Sequence, residues 1–192
     1  MYVAQAKTVK AMTRRRWQRG FTLNELLIVV AMISVLAALA MVGYKRYLRS
    51  AQASEAKSVI QGIRGLQEQY KSETLTYLNV STSLTTFYPM ATPNAQKWAW
   101  DASGHPDYLR WRQLNYRTDG PVYFGYAVVA GLPGQAIPQP QGFTTLPQFS
   151  SFNNNEPWFV VNAEADRDDD GQKARAVSWS GSFEVYMEND TE

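Results

Sequence analysis

The chain contains no cysteine. Disulfide frameworks, thiolate metal sites and thiol catalysis are therefore excluded. It has a single histidine, His105, which rules out a histidine-rich metal centre. Proline is missing from the first 88 residues, so a long helix meets no breaker there. No phosphate-binding glycine loop occurs, neither GxGxxG nor the P-loop pattern. The net charge of +2 is spread unevenly. Residues 1–20 hold Lys7, Lys10, Arg14, Arg15, Arg16 and Arg19 and no acid. Without those six bases, 13 Lys and Arg face 17 Asp and Glu, a balance of −4. The basic character belongs to the first twenty residues and says nothing about nucleic acid binding by the rest. Of the 192 residues, 45% are apolar and 13% aromatic, which allows one domain with a real core plus a membrane segment.

An apolar run follows the basic segment. From Phe21 to Val42, 18 of 22 residues are apolar, with only Thr22, Asn24, Glu25 and Ser34 interrupting. As a helix this run spans roughly 33 Å, close to the hydrocarbon thickness of a bilayer. The bases before it are expected to stay cytoplasmic and the rest to face outward. Glu25 lies near one end of the run, where a carboxylate costs less than the roughly 2.5–3.5 kcal/mol of the bilayer centre. A charge there usually has a partner. Cleavage after Gly20 would create one, the α-amine of Phe21. Ser34 reads as a small residue in a helix interface.

The segment Arg19-Gly20-Phe21-Thr22-Leu23-Asn24-Glu25-Leu26-Leu27-Ile28-Val29-Val30-Ala31 resembles the signature of type IV prepilins and type II secretion pseudopilins. The likeness extends through Leu36-Ala37-Ala38-Leu39-Ala40 to Tyr44 and Tyr47. It implies a class III signal peptide, cut between Gly20 and Phe21 by a membrane prepilin peptidase that also N-methylates Phe21. It implies that Glu25 neutralises the Phe21 amine of a neighbouring subunit during assembly. The implied partners are other pilins in a homo- or hetero-polymer, the peptidase, an inner-membrane assembly platform and, before assembly, the membrane itself. The implied location is the bacterial inner membrane as a single-pass precursor, then a surface pilus or a periplasmic pseudopilus. Three features depart from the family pattern: the leader is long, Asn24 replaces an apolar residue, and Val42-Gly43 stands where many pilins have proline.

The helical pattern continues beyond the run. Tyr44, Tyr47, Leu48, Ala51, Ala56, Val59, Ile60, Ile63, Leu66 and Tyr70 form one stripe. Arg46, Arg49, Glu55, Lys57, Arg64, Gln67 and Glu68 lie mostly off it. One helix over 21–73 is predicted, apolar all round in its first half and on one face in its second. Residues 74–120 show no period and are expected to be irregular, with a short helix near 107–114. Strands are expected at 122–130, 158–165, 174–179 and 182–188, the last two flanking a tight turn at Ser180-Gly181. Residues 131–157 read as an exposed surface loop. The predicted class is α+β, a long N-terminal helix on an antiparallel sheet of about four strands, the pilin fold. Its divisions are a cleaved leader at 1–20, a transmembrane or filament-core helix at 21–43, an amphipathic continuation at 44–73, a connecting region at 74–120 and a sheet head at 121–192.

Asp166-Arg167-Asp168-Asp169-Asp170-Gly171 places alternate aspartates before a glycine, like the start of a calcium loop. Asp166, Asp168 and Asp170 are the candidate ligands. Val177 stands where an EF-hand would close with glutamate, so a charged turn is the competing reading. No cofactor is required and no catalytic constellation accompanies His105. A structural filament subunit is the leading expectation. A secretion pseudopilin is the alternative, and an anchored binding protein that never polymerises is the third.

Overall fold

A computed structural model describes residues 20–189. The basic leader expected at 1–20 lies, apart from Gly20, outside the described residues. The chain resolves into two compact units with the boundary between Val42 and Gly43. Helix α1, Leu23–Thr74, runs through both. Absence of proline and abundance of Ala and Leu favour its 52-residue course. It stops where Leu75 turns left-handed at φ 61°, with Leu75 N–H still bonded to Lys71 O at 2.8 Å.

In the first unit every described residue, Gly20 to Val42, is exposed. Within it, the part of α1 up to Val42 is long and apolar enough to cross a membrane.

The second unit begins with the rest of α1 and continues through helix α2, Tyr108–Leu114, into a four-stranded antiparallel sheet. The strands are β1, Gly125–Gly131, β2, Trp158–Ala165, β3, Ala174–Trp179, and β4, Tyr186–Glu188, paired in chain order. This is the α+β architecture of a pilin fold. The register Val161↔Ser178 and Val128↔Val161 puts alternate residues on two faces. Phe159, Val161, Ala163 and Ala165 of β2 join Ala56, Val59, Ile60 and Ile63 of α1 in the main core. Each large apolar side chain buried here contributes about 1.5–3 kcal/mol.

Arg64 and Gln67, read as lying off the apolar stripe, are buried. Arg64 Nη1 donates to Ser178 Oγ at 2.6 Å and Trp179 O at 2.7 Å, and its guanidinium stands 5.7 Å from the Phe159 ring centroid. Gln67 donates to Leu78 O at 2.8 Å and accepts Leu78 N–H at 2.9 Å. A buried polar group is tolerated when its hydrogen bonds are made, and these are. Tyr44, Tyr47 and Ala51, read as part of the stripe, are exposed in the single chain.

The segment 131–157 is not simply an exposed loop. β2 is buried on both faces, and the Trp158 and Val160 end of its second face also needs apolar cover. Phe149, buried at the short 3-10 turn Phe149–Ser151, packs with Trp158, Val160, Val177 and Trp179. Ile137, Phe143, Leu146 and Phe152 complete this second core.

Strand β1 starts later than expected. Residues 122–124 belong to a different arrangement, in which Val122 and Trp98 exchange backbone hydrogen bonds of 2.9 Å. A Cβ on Gly125 would lie 2.7 Å from Phe87 Cβ, so this position accepts only glycine as the covering segment crosses. The irregular region thereby shields the free edge of β1: Tyr88 and Tyr126 pair there, and Ser81 N–H reaches Val128 O at 2.7 Å. Strand β4 is also shorter than expected. Its predicted first residues are held instead by Ser178 Oγ, which donates to Glu184 O, and by Gln61 Nε2, which donates to Phe183 O.

Candidate functional site: the exposed start of the apolar helix

Gly20 and Phe21 precede α1, and Phe21 is 84% exposed. Thr22 and Glu25 then close a reciprocal hydrogen-bonded unit. Glu25 Oε2 accepts Thr22 N–H at 2.8 Å and the Thr22 hydroxyl at 2.7 Å, while Thr22 Oγ1 accepts Glu25 N–H at 3.2 Å. This is a capping box, in which residue and backbone donors at a helix start satisfy one another. The carboxylate also sits in the first helical turn, where the helix dipole favours negative charge. The Thr-x-x-Glu spacing that signals such a cap is plain in the sequence.

Glu25 Oε1 receives no donor among the described residues. The carboxylate is therefore half-used by its own chain. Ser34 solves its polarity locally, its hydroxyl donating to Val30 O at 2.7 Å, so it adds no unsatisfied group to the apolar surface. From Leu26 to Val42 that surface presents leucine, isoleucine, valine and methionine with nothing packed on them. Such a face is stable only against lipid or against other apolar helices.

Residues 17–41 match the family model of the prokaryotic N-terminal methylation motif. The segment is a class III signal peptide. Signal peptides of this kind precede type IV pilins and pseudopilins, so the motif supports a pilin-like or pseudopilin precursor. It points to a structural protein, to processing by a prepilin peptidase and to assembly into pilin polymers. Together with the apolar helix it fits a membrane-anchored precursor. No curated protein and no solved structure matches the chain.

The other residues singled out in the sequence lie in the second unit. Asp166, Asp168 and Asp170 do converge, with one carboxylate oxygen of each within 4.8 Å of the others. His105 is held by the backbone on both sides: Nε2 lies 2.8 Å from Phe87 O and Nδ1 accepts Asp107 N–H at 3.1 Å. With both ring nitrogens engaged by backbone, His105 has a packing role. Sequence reasoning missed a charged cluster on the sheet. Glu164, nearly buried, binds Lys173 Nζ at 2.6 Å and Arg175 Nε at 3.0 Å. These residues lie 9 and 11 positions apart, and the β2–β3 register, Glu164↔Arg175, brings them together across the turn.

Proposed function

We propose that the chain is a pilin or minor pilin, a structural subunit of a type IV pilus that polymerises through its N-terminal helix. Cleavage between Gly20 and Phe21 frees an amine at the start of the apolar run, and the peptidase methylates it. The observation that carries this reading is the coincidence at one helix end of the methylation motif, an exposed Phe21 and a Glu25 carboxylate with one oxygen unused. A membrane-stored helix whose whole surface is apolar exchanges lipid for sister helices at little hydrophobic cost. The single carboxylate then gives the exchange a register, since an amine on the next subunit satisfies it and mismatched positions leave it unpaired. The Glu25–amine pair forms between copies, with the capping box holding the acid in place until then.

A type II secretion pseudopilin uses the same helix. The departure that favours it is the passage of α1 through Val42-Gly43 without proline. The distinguishing experiment is to shear filaments from the native cell and probe them for this chain. Recovery in the sheared fraction, lost when Gly20 is replaced so that cleavage is blocked, supports the pilus. Retention in the periplasm together with a secretion defect in a deletion strain supports the pseudopilus. Retention in the membrane as an unprocessed monomer refutes both.

A further inference from the structure

The second face of the sheet changes character along its length. At the Trp158 and Val160 end it lies under the aromatic residues of 131–157. At the other end the same face of β2 carries Asn162 and Glu164. The register sets Glu164 between Gly125 of β1 and Arg175 of β3, and Asn162 beside Ala127. A cavity of about 520 Å³ stands over this polar end. Small-molecule sites span about 300–1,000 Å³, so the volume is sufficient for one. Asn162, Glu164, Lys173 and Arg175 line it from the sheet, and parts of 85–93 with Gln141 and Gly142 complete the lining.

The polar groups here are held in place, and not all are satisfied. Asn162 is 3% exposed. Its Nδ2 donates to Leu84 O at 2.9 Å, which fixes the orientation of the amide, and its buried Oδ1 receives no donor among the described residues. A buried acceptor without a donor is costly, so an arriving hydroxyl is a gain. Glu164 holds Lys173 Nζ at 2.6 Å and Arg175 Nε at 3.0 Å. Arg175 Nη1 also donates to Gly142 O at 3.3 Å. Gly142, at φ 79°, permits that close approach: a Cβ there would lie 2.5 Å from Arg175 Cζ. These bonds leave Lys173 further ammonium protons, and leave Arg175 Nη2 without an acceptor among the described residues. Two cations against one carboxylate give the lining an excess of one positive charge. Glu188, opposite Arg175 on β4, spends its carboxylate on Thr144.

We infer that this cavity binds an acidic sugar residue of the uronic-acid type. The sugar carboxylate meets Lys173 and Arg175 Nη2, where charge-assisted hydrogen bonds are short and strong. A ring hydroxyl donates to Asn162 Oδ1. Thr85, Thr92 and Gln141 offer hydroxyl and amide groups to the other ring hydroxyls, and Phe87 offers an apolar surface to the ring. The excess positive charge is neutralised by a monoanion, whereas a phosphate dianion would leave a negative surplus. An apolar ligand, or an anion without a hydroxyl, would leave Asn162 Oδ1 unsatisfied. The site lies wholly within the head, so it holds whether or not the chain polymerises.

The test uses the full chain in micelles of a detergent without a sugar headgroup. Heteronuclear NMR follows titration with sodium glucuronate, glucose or sodium acetate at matched ionic strength. The expected result is saturable glucuronate binding, at least about tenfold tighter than that of glucose or acetate, with shifts centred on Asn162, Lys173 and Arg175. Lys173→Gln keeps a donor for Glu164 and removes the charge, so it should unfold at the parent's temperature yet lose about tenfold in glucuronate affinity. Ala91→Trp changes an exposed position on the lining, and should fold and abolish binding by filling the cavity. Glucuronate binding no tighter than acetate marks an adventitious ion only and overturns the site. Equal binding of glucuronate and glucose overturns it as well, as does full glucuronate affinity in either variant or the absence of saturable binding.

Discussion

Replacing Glu25 separates the two tasks assigned to it. In the single chain its carboxylate closes the Thr22 capping box, with contacts of 2.7–3.2 Å. In the proposed filament it also neutralises an amine of the next subunit. Glu25→Gln keeps a carbonyl oxygen for Thr22, because glutamine serves in capping boxes, but removes the charge. Thr22→Val does the reverse: it removes the cap hydroxyl and leaves the charge. Loss of a cap costs about 1 kcal/mol, equivalent to roughly fivefold in an equilibrium. At an effective dielectric of about 20, losing half the attraction between two unit charges about 4 Å apart is roughly a thirtyfold loss of incorporation. The assay co-expresses a tagged variant with the parent chain and compares their ratio in sheared filaments with their ratio in the membrane. Thr22→Val should fall by no more than about fivefold, Glu25→Gln by about thirtyfold, and Glu25→Ala by more than either. If Glu25→Gln enters filaments as well as Thr22→Val does, Glu25 is a helix cap and the charge-pairing role is wrong.

Burial raises the pKa of Glu55, whose Oε1 accepts Tyr123 N–H at 2.9 Å, although that bond and Lys97 act the other way. The raised folded value means its charged form opposes folding, so stability falls as pH climbs from about 4.5 through the folded pKa. Glu55→Gln keeps the Tyr123 bond without the charge; its Tm advantage over the parent should be absent below that window and present at neutral pH. A pH-independent difference would rule this out. Phe149→Ala opens the second core and should cost about 3–5 kcal/mol by chemical denaturation, whereas a loss below about 1 kcal/mol would show that 131–157 is a dispensable cover.

The elements carried by local pattern were readable in the sequence. β2 and β3 fall on the predicted residues because β2 opens as an apolar run and β3 ends at the Ser180-Gly181 turn signal. α1 follows from an unbroken apolar run and a proline-free continuation. The methylation motif was equally legible, because it is carried by one run of consecutive residues, 17–41. Features set by distant partners were not. Arg64 looks like a solvated helix residue until Ser178 and Trp179 arrive from more than a hundred positions away. The aromatic residues of 131–157 look like loop decoration until the second apolar face of β2 requires them. Arg49 could not be linked to the aspartate loop, since their separation of 119 residues leaves no periodic trace. The capping box is the opposite case, a local signal at Thr22 and Glu25 overshadowed by the reading of Glu25 as a charge awaiting a partner.

The central claim is that Phe21 becomes the first residue of a helix built to pack against copies of itself. Its most direct test is intact and N-terminal mass spectrometry of the chain isolated from its native cell. The expected result is a mature protein beginning at Phe21 with a methylated α-amine. A protein that still begins upstream of residue 21, in cells whose prepilin peptidase is active, contradicts it.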